Sequence, residues 1–198
     1  MRGVRTRVGA AVFGAALVLT MAGCGDDGGE ASDATSTESS SAGSSPTYGE
    51  DHIMAQVKKV NTSLQSLGPS EKIPTDADWA TDSFRKSYDA TRDGYTEHGA
   101  EVKGKVTSTA LHLDESDPEA PGGWDVSVYN CAESTLRLYV DGEDITPDPD
   151  NPGQVLPKGP QTEIYLQSFT TPDGGKSWQL DDSQLVEGTQ AEESPCAA

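Results

Sequence analysis

The sequence is poor in basic residues, aromatic residues and cysteines. It has 14 Lys and Arg against 33 Asp and Glu, a formal net charge of −19 at pH 7. A chain this acidic lacks the positive charge that neutralises a phosphate backbone, so nucleic acid is excluded as a partner. Aromatic residues make up 6% of the chain and there are three cysteines. These counts limit the core to a modest size and exclude a dense disulfide scaffold.

Long apolar runs and common catalytic motifs are also missing. The longest apolar run, from Val8 to about Ala22, has about 15 residues, fewer than the roughly 20 that a membrane-spanning helix needs. The chain has no G-x-S-x-G, P-loop or G-x-G-x-x-G motif, so hydrolase and nucleotide-binding functions lack support. His52, His98 and His112 lack the spacing of a zinc site. We therefore predict no catalytic residues, no metal and no cofactor.

The first 24 residues combine the features of an export signal. Three arginines precede the apolar run, which ends in Met21-Ala22-Gly23-Cys24. Basic residues, an apolar segment and small residues before a cleavage site predict a signal peptide over 1–23. The ending resembles the lipobox of bacterial lipoproteins, in which the signal is cut before the cysteine and lipid is attached to its sulfur. The alternative is an ordinary signal peptide with a chance cysteine.

The lipobox resemblance implies where the protein resides. Cys24 would be the lipidated N-terminus, and the membrane would be a partner through this lipid, at the extracytoplasmic face of the cell membrane. Each buried CH₂ contributes about 0.8 kcal/mol, so two acyl chains make the attachment stable. The leader carries three of the 14 basic residues. Its removal would leave 11 basic against 33 acidic residues, a formal charge of −22.

A change of composition divides the rest of the chain. Residues 25–50 are rich in Gly, Ser, Thr, Asp and Glu and lack large aliphatic residues. Such a segment cannot bury enough apolar surface to offset the entropy of ordering. We therefore predict the lipidated cysteine and a disordered acidic tether over 24–50, followed by one folded domain over 51–198.

The folded domain begins with two predicted helices. Apolar residues recur at helical spacing from Ile53 to Leu67, with Asp51 as the expected N-cap and Gly68-Pro69 as the stop. Aromatic residues at similar intervals predict a second helix over 76–95.

Alternating strand patterns follow from residue 101 onward. A long strand over 101–113 changes its inward phase, which predicts a bulge near 108–110. Further strands are predicted around 124–129, 135–140, 163–167 and 177–186. Two helices followed by four or five mostly antiparallel strands predict an α+β fold with the helices on one face of the sheet.

This order resembles small actinobacterial secreted lipoproteins with an NTF2-like domain. The resemblance rests on the element order, the segment 129–134 at a strand end, a turn at Asp141-Gly142, a strand with Trp178, and the terminal Ser194-Pro195-Cys196. It implies a cone in which a strongly curved sheet wraps around the two N-terminal helices, often with a pocket inside. The strand pattern alone would also allow other antiparallel sheets.

The two cysteines that remain after Cys24 are expected to form a disulfide. An exported protein leaves the reducing cytoplasm, which favours pairing of Cys131 with Cys196. Residues 171–178 fit the Asp-box pattern S/T-x-D-x-G-x-S/T-W of sialidases and related propellers. A propeller needs several copies, and this sequence has one, so the motif predicts only a structural turn between strands.

Aromatic residues give the candidate site. Tyr88, Tyr95, Trp124 and Tyr129 could line an NTF2-like pocket, although aromatic residues at such spacing also serve as ordinary core. The first functional hypothesis is a non-catalytic domain that binds an unknown envelope protein or a small ligand. The alternatives are an enzyme that uses an NTF2-like cavity for proton transfer or hydrolysis, and an acidic cation-responsive cell-wall spacer.

Overall fold

Helices and antiparallel sheets make up the fold in a computed structural model of the protein, which describes residues 48–121, 123–149 and 151–197. The predicted leader, Cys24 and nearly all of the predicted tether lie outside the described residues. Within the described residues, no helix is both long enough and apolar enough to span a bilayer.

The first two helices match the predictions in type, with shifts at their ends. The helices are α1 (Glu50–Gln65), α2 (Asp82–Glu97) and a short α3 (Gly188–Glu192). Gly49, rather than Asp51, is the N-cap of α1. Helix α2 begins later than predicted because the Thr81 side chain accepts a hydrogen bond from the Phe84 amide and so caps the helix there. The residue before this cap, Ala80, forms a parallel bridge with Leu180.

In the described part of the chain, seven strands form two antiparallel sheets. The strands are β1 (Ala100–Lys103), β2 (Val106–Asp117), β3 (Asp125–Ser134), β4 (Arg137–Val140), β5 (Glu143–Asp144), β6 (Gln161–Thr170) and β7 (Gln179–Leu185). One sheet has the order β2-β3-β6-β7 and the other the order β1-β4-β5. The α+β class is confirmed. A single sheet of four or five strands was expected, whereas the structure has a four-stranded and a three-stranded sheet.

Gly104 explains this division. The predicted strand from residue 101 breaks there into β1, which pairs with β4, and β2, which pairs with β3. Gly104 has φ +94, and a Cβ at this position would lie 2.1 Å from the carbonyl oxygen of Thr135. Only glycine tolerates both the left-handed backbone and this close approach. One extended segment can therefore leave one sheet and enter the other.

Both edge strands of the four-stranded sheet carry extra residues. The register between β2 and β3 shifts at Ser108/Ala110, which confirms the predicted bulge and leaves Thr109 as the extra residue. A second shift at Leu113/Glu115 leaves Asp114 extra on β2. On β7 the extra residue is Asp181, opposite Ser168 and Phe169. Each bulge bends its strand and interrupts the regular ladder of backbone groups.

The hydrophobic core lies between α1, α2 and one face of the four-stranded sheet. Its buried residues include Ile53, Val57 and Val60 from α1, Phe84 from α2, and Val126, Val128, Phe169 and Leu180 from the sheet. Successive side chains of a strand point to opposite faces. The residues between these inward ones therefore form the other side of the sheet, here called the outer face.

Candidate functional site

The strand register arranges the outer face into rows that cross the four strands. Directly paired residues on neighbouring strands lie on the same side of a sheet, so each set of partners forms one row. The middle row is His112, Tyr129, Leu166 and Gln184. Two acidic rows lie beside it: first Glu115, Ser127, Ser168 and Asp182, and then Asp117, Asp125, Thr170 and Gln179. The two acidic rows together supply four carboxylates.

An open cleft of about 480 Å³ lies at this acidic end of the sheet. Five carboxylates line it, from Glu115, Asp117, Asp125, Asp181 and Asp182, together with Ala120, Val126, Ser127, Ser168 and Phe169. Among the described residues that line the cleft, none carries a positive charge. The cleft falls within the size range of small-molecule sites, and its charge favours a cationic occupant.

The carboxylates of the cleft do not form a metal site. In the described ranges, no group of three or more His, Cys, Asp or Glu side chains is arranged so that it could hold a metal ion. A bound Ca²⁺ needs six to eight oxygens at about 2.3–2.6 Å. The cleft therefore offers negative charges distributed over a surface rather than converging on one point.

The opposite end of the outer face is covered by the C-terminal residues. Cys131 points to this face, and its disulfide with Cys196 has a Cα–Cα distance of 5.4 Å. The predicted pairing is confirmed. Cys131, Ile164 and Val186 are buried here, with exposed fractions of 7%, 9% and 7%. The disulfide holds the chain end against the row of Cys131 and Ile164. This covered row separates the middle and acidic rows from the exposed Glu133 and Thr162 at the far end of the outer face.

The middle row is less polar than the acidic rows beside it. His112, Tyr129 and Leu166 are half-buried, and none belongs to the core cluster between the helices and the sheet. Tyr129 is also one of the four residues that the sequence predicts as possible pocket lining. An aromatic and an aliphatic side chain beside a row of carboxylates can contact the carbon stem of a long basic side chain while the carboxylates receive its charge.

The four candidate aromatic residues lie in different environments. On α2, the ring of Tyr88 lies 5.8 Å from that of Phe84 and 3.3 Å below the guanidinium carbon of Arg92. Burial raises the pKa of the Tyr88 hydroxyl. Tyr95 is half-buried one residue after Gly94, which does not interrupt α2.

Trp124 and Tyr129 lie on opposite sides of the four-stranded sheet. Trp124 packs against the core, edge-on to Trp178 at 5.5 Å, and its indole N–H donates to the Ser116 hydroxyl at 2.9 Å. Tyr129 lies in the middle row of the outer face. None of the four aromatic residues lines the acidic cleft, so the structure does not bring them together there.

A cluster of buried polar residues on the core side was not predicted. The Asn61 amide oxygen accepts from the Asn130 amide at 3.4 Å, and the Ser108 hydroxyl donates to Asn130 at 2.5 Å. Gln167 is 1% exposed, and its Oε1 has no hydrogen-bond partner among the described residues. A single polar residue inside a strand pattern does not indicate its hydrogen-bond partner, because the strand register decides which polar residues meet.

Tyr165 and Glu163 extend this polar cluster along β6. The Tyr165 hydroxyl donates to the Glu163 carboxylate. Burial is the main reason that the pKa of Tyr165 lies far above its ordinary value, and the bond to Glu163 raises it further. Tyr165 therefore stays protonated at physiological pH, as a hydrogen-bond donor and not as a base.

The Asp-box residues form the turn between β6 and β7. Asp173 accepts hydrogen bonds from the backbone N–H and the hydroxyl of Ser177, both at 2.8 Å. The backbone bond is the main cause that lowers the pKa of the Asp173 carboxyl. Trp178 is buried beneath the turn, with 2% of its surface exposed. These contacts are structural, as the single copy of the motif predicts.

Comparisons with known proteins find similarity among solved structures alone. No protein-family model matches the chain, and no curated protein matches it. One similar solved structure is the intermembrane space region of the chloroplast protein ARC6, with a TM-score of 0.46 and 14% sequence identity over 72% of this chain and 100% of that chain. A similarity this distant does not indicate a function, which has to come from the surface of the domain itself.

Proposed function

We propose that this protein is a lipid-anchored, extracytoplasmic, non-catalytic domain that binds a protein partner on its outer face. The observation that carries the binding role is the acidic cleft of about 480 Å³ next to the half-buried Tyr129 row. A surface that combines an open cleft with a partly apolar strip is typical of a contact site for another molecule. The lipid anchor rests on the sequence alone, on a basic and apolar leader that ends in Met21-Ala22-Gly23-Cys24.

The rigidity of this surface also supports a binding role. The rows lie on four hydrogen-bonded strands, and the disulfide fastens the chain end beside them. Side chains on strands keep their spacing, so little conformational entropy is lost when a partner docks.

Replacing Cys24 with Ala tests the anchor. The Cys24→Ala protein should appear in the medium or the soluble fraction, because it has no sulfur for the lipid. A matched control is the double variant Cys131→Ala/Cys196→Ala, which removes the disulfide and should remain in the membrane fraction. Membrane association of Cys24→Ala equal to that of the natural protein would overturn the anchor.

Site-specific photo-crosslinking in intact cells tests the binding surface. A photoreactive phenylalanine analogue at Tyr129 should give a defined adduct, and the same analogue at Tyr139 in the three-stranded sheet should not. Adding Ser168→Arg, at an exposed position on the outer face, should abolish the adduct through its bulk and charge. Equal adducts from both positions, or none from Tyr129, would contradict a partner on the outer face.

A further inference from the structure

We infer that the occupant of the outer face is a lysine- and arginine-rich segment of a protein. This inference rests on the proposed function and names the chemistry of its partner. The five carboxylates of the cleft come from three strands, and no lining residue of the described cleft compensates their charge. Charge complementarity therefore selects a positively charged occupant and rejects an acidic one.

The spacing of the carboxylates requires several positive charges. Glu115 and Asp182 lie at opposite ends of one row that crosses all four strands. Neighbouring strands are about 4.8 Å apart, so the row spans about 14 Å. A single small cation cannot contact both ends, whereas a segment with several basic side chains can place one near each carboxylate.

The middle row suits the same occupant. Tyr129 and Leu166 form its half-buried centre, next to Ser127 and Ser168 of the acidic row. Lysine and arginine have long aliphatic stems that pack on apolar surface, and their charged groups are attracted to aromatic faces. A basic segment across the sheet would therefore contact the apolar row with its stems and the acidic rows with its charges.

Two other occupants are disfavoured by their charge. The segment that precedes the described residues, 25–47, has five acidic and no basic residues, so the cleft would repel it. A second copy of the chain would bring another 33 acidic and only 14 basic residues. Net charge therefore favours a different, basic protein as the source of the segment.

Titration of the full chain with a short oligolysine peptide tests the inference. The triple variant Glu115→Gln/Asp125→Asn/Asp182→Asn keeps the side-chain shapes and removes three charges of the face. Each lost charge contact should weaken binding severalfold, so we expect a loss of about tenfold or more. Rising salt should weaken binding to the natural chain more steeply than binding to the variant.

A second triple variant controls for net charge. Glu97→Gln/Glu143→Gln/Glu187→Gln removes three exposed carboxylates from other parts of the fold and should change affinity by no more than about twofold. Equal weakening by both triple variants would mean general attraction to an acidic protein and would overturn the inference. Absence of oligolysine binding would also overturn it.

The Tyr129 crosslink separates this inference from the proposed function. If the Tyr129 adduct persists but oligolysine binding does not depend on the outer-face charges, the face binds a partner that is not basic. In that case only the present inference fails. If the Tyr129 adduct is absent, the binding surface itself is wrong. If oligolysine reduces the amount of Tyr129 adduct and oligoglutamate does not, both the binding surface and its basic partner are supported.

Discussion

The Nε2 atom of His52 lies 2.9 Å from the carbonyl oxygen of Gly175, although the two residues are 123 positions apart in the chain. The ring of Tyr48 stacks on that of His52 with centroids 4.1 Å apart, and Tyr48 also lies next to Gly175. These contacts fasten the start of α1 to the Asp-box turn. The turn is therefore a docking point for the beginning of the domain as well as a connection between β6 and β7.

A methyl group at Gly175 should disrupt this docking point. A Cβ there would lie 2.5 Å from Tyr48 Cδ2 and 2.9 Å from Trp124 Cζ3, and the residue has φ +96. The left-handed backbone alone costs an alanine about 1 to 2 kcal/mol, and the contacts with both rings add to this. We expect Gly175→Ala to lower the free energy of unfolding by more than about 2 kcal/mol, measured by chemical denaturation.

The neighbouring Gly174 provides the control. It also has a positive φ, +69, but a Cβ there would meet nothing within 4 Å. Gly174→Ala should therefore lose only the backbone contribution of about 1 to 2 kcal/mol. Equal losses at the two positions would contradict the close contact with Tyr48 and Trp124.

The Asp-box turn should become less stable at acid pH. The folded state lowers the pKa of Asp173 below its ordinary value of 3.8. The charged carboxyl therefore contributes stability above pH 3.8, and this stability is lost as the pH falls through the lower folded value. Asp173→Asn removes the titrating group, so its free energy of unfolding should fall less between roughly pH 5 and pH 2 than that of the natural protein.

Ser177→Ala isolates the cause of this pH dependence. The variant loses the hydroxyl bond to Asp173 but retains the backbone N–H bond, which is the main cause of the lowered pKa. It should therefore keep most of the acid sensitivity. If Ser177→Ala and Asp173→Asn had the same flat pH profile, the backbone bond would not have the assigned role.

Removing the disulfide should destabilise the domain without changing its secondary structure. The bond closes a loop between residues 65 positions apart, for which the chain-entropy relation gives about 4 kcal/mol. Cys131→Ala/Cys196→Ala should show this loss in urea denaturation, and reducing agent should produce a similar loss in the natural protein. Reducing agent should leave the double variant unchanged; a further loss there would show that a different bond is involved.

Replacing buried Gln167 with Met should stabilise the fold. Oε1 of Gln167 is buried without a hydrogen-bond partner among the described residues, and methionine fills a similar volume without a polar oxygen. We expect the free energy of unfolding to rise by about 1 kcal/mol. At Gln179, where Nε2 donates to the Asp78 carbonyl at 2.9 Å, the same change should lower it by about 1 kcal/mol.

The sequence predicts the local elements better than their partners. The periodic apolar residues of α1 and the phase change at 108–110 depend on neighbouring residues, and both predictions are confirmed. The start of α2 depends on Thr81 and on a bridge from Ala80 to Leu180, far along the chain. A pattern confined to nearby residues contains no information about that pairing.

The candidate site depends even more on distant pairing. The strand pattern predicts Tyr129 as a candidate, but its row includes His112 and Leu166 only because β3 pairs with β2 and β6 in one particular register. A shift of one residue would place Tyr129 in the core and expose Val128. The acidic rows likewise combine residues from strands that are more than 50 positions apart, so their shared face could not be derived before the register was known.

The extra residues on β2 and β7 also affect how copies of the protein behave when they are crowded. A straight exposed edge invites strands of neighbouring molecules to add to the sheet, which is the first step of aggregation. Here Thr109 and Asp114 interrupt one edge and Asp181 the other, and two of these three residues are acidic. Many copies concentrated on one surface should therefore remain separate, because neither edge offers a regular, uncharged template for a neighbour's strand.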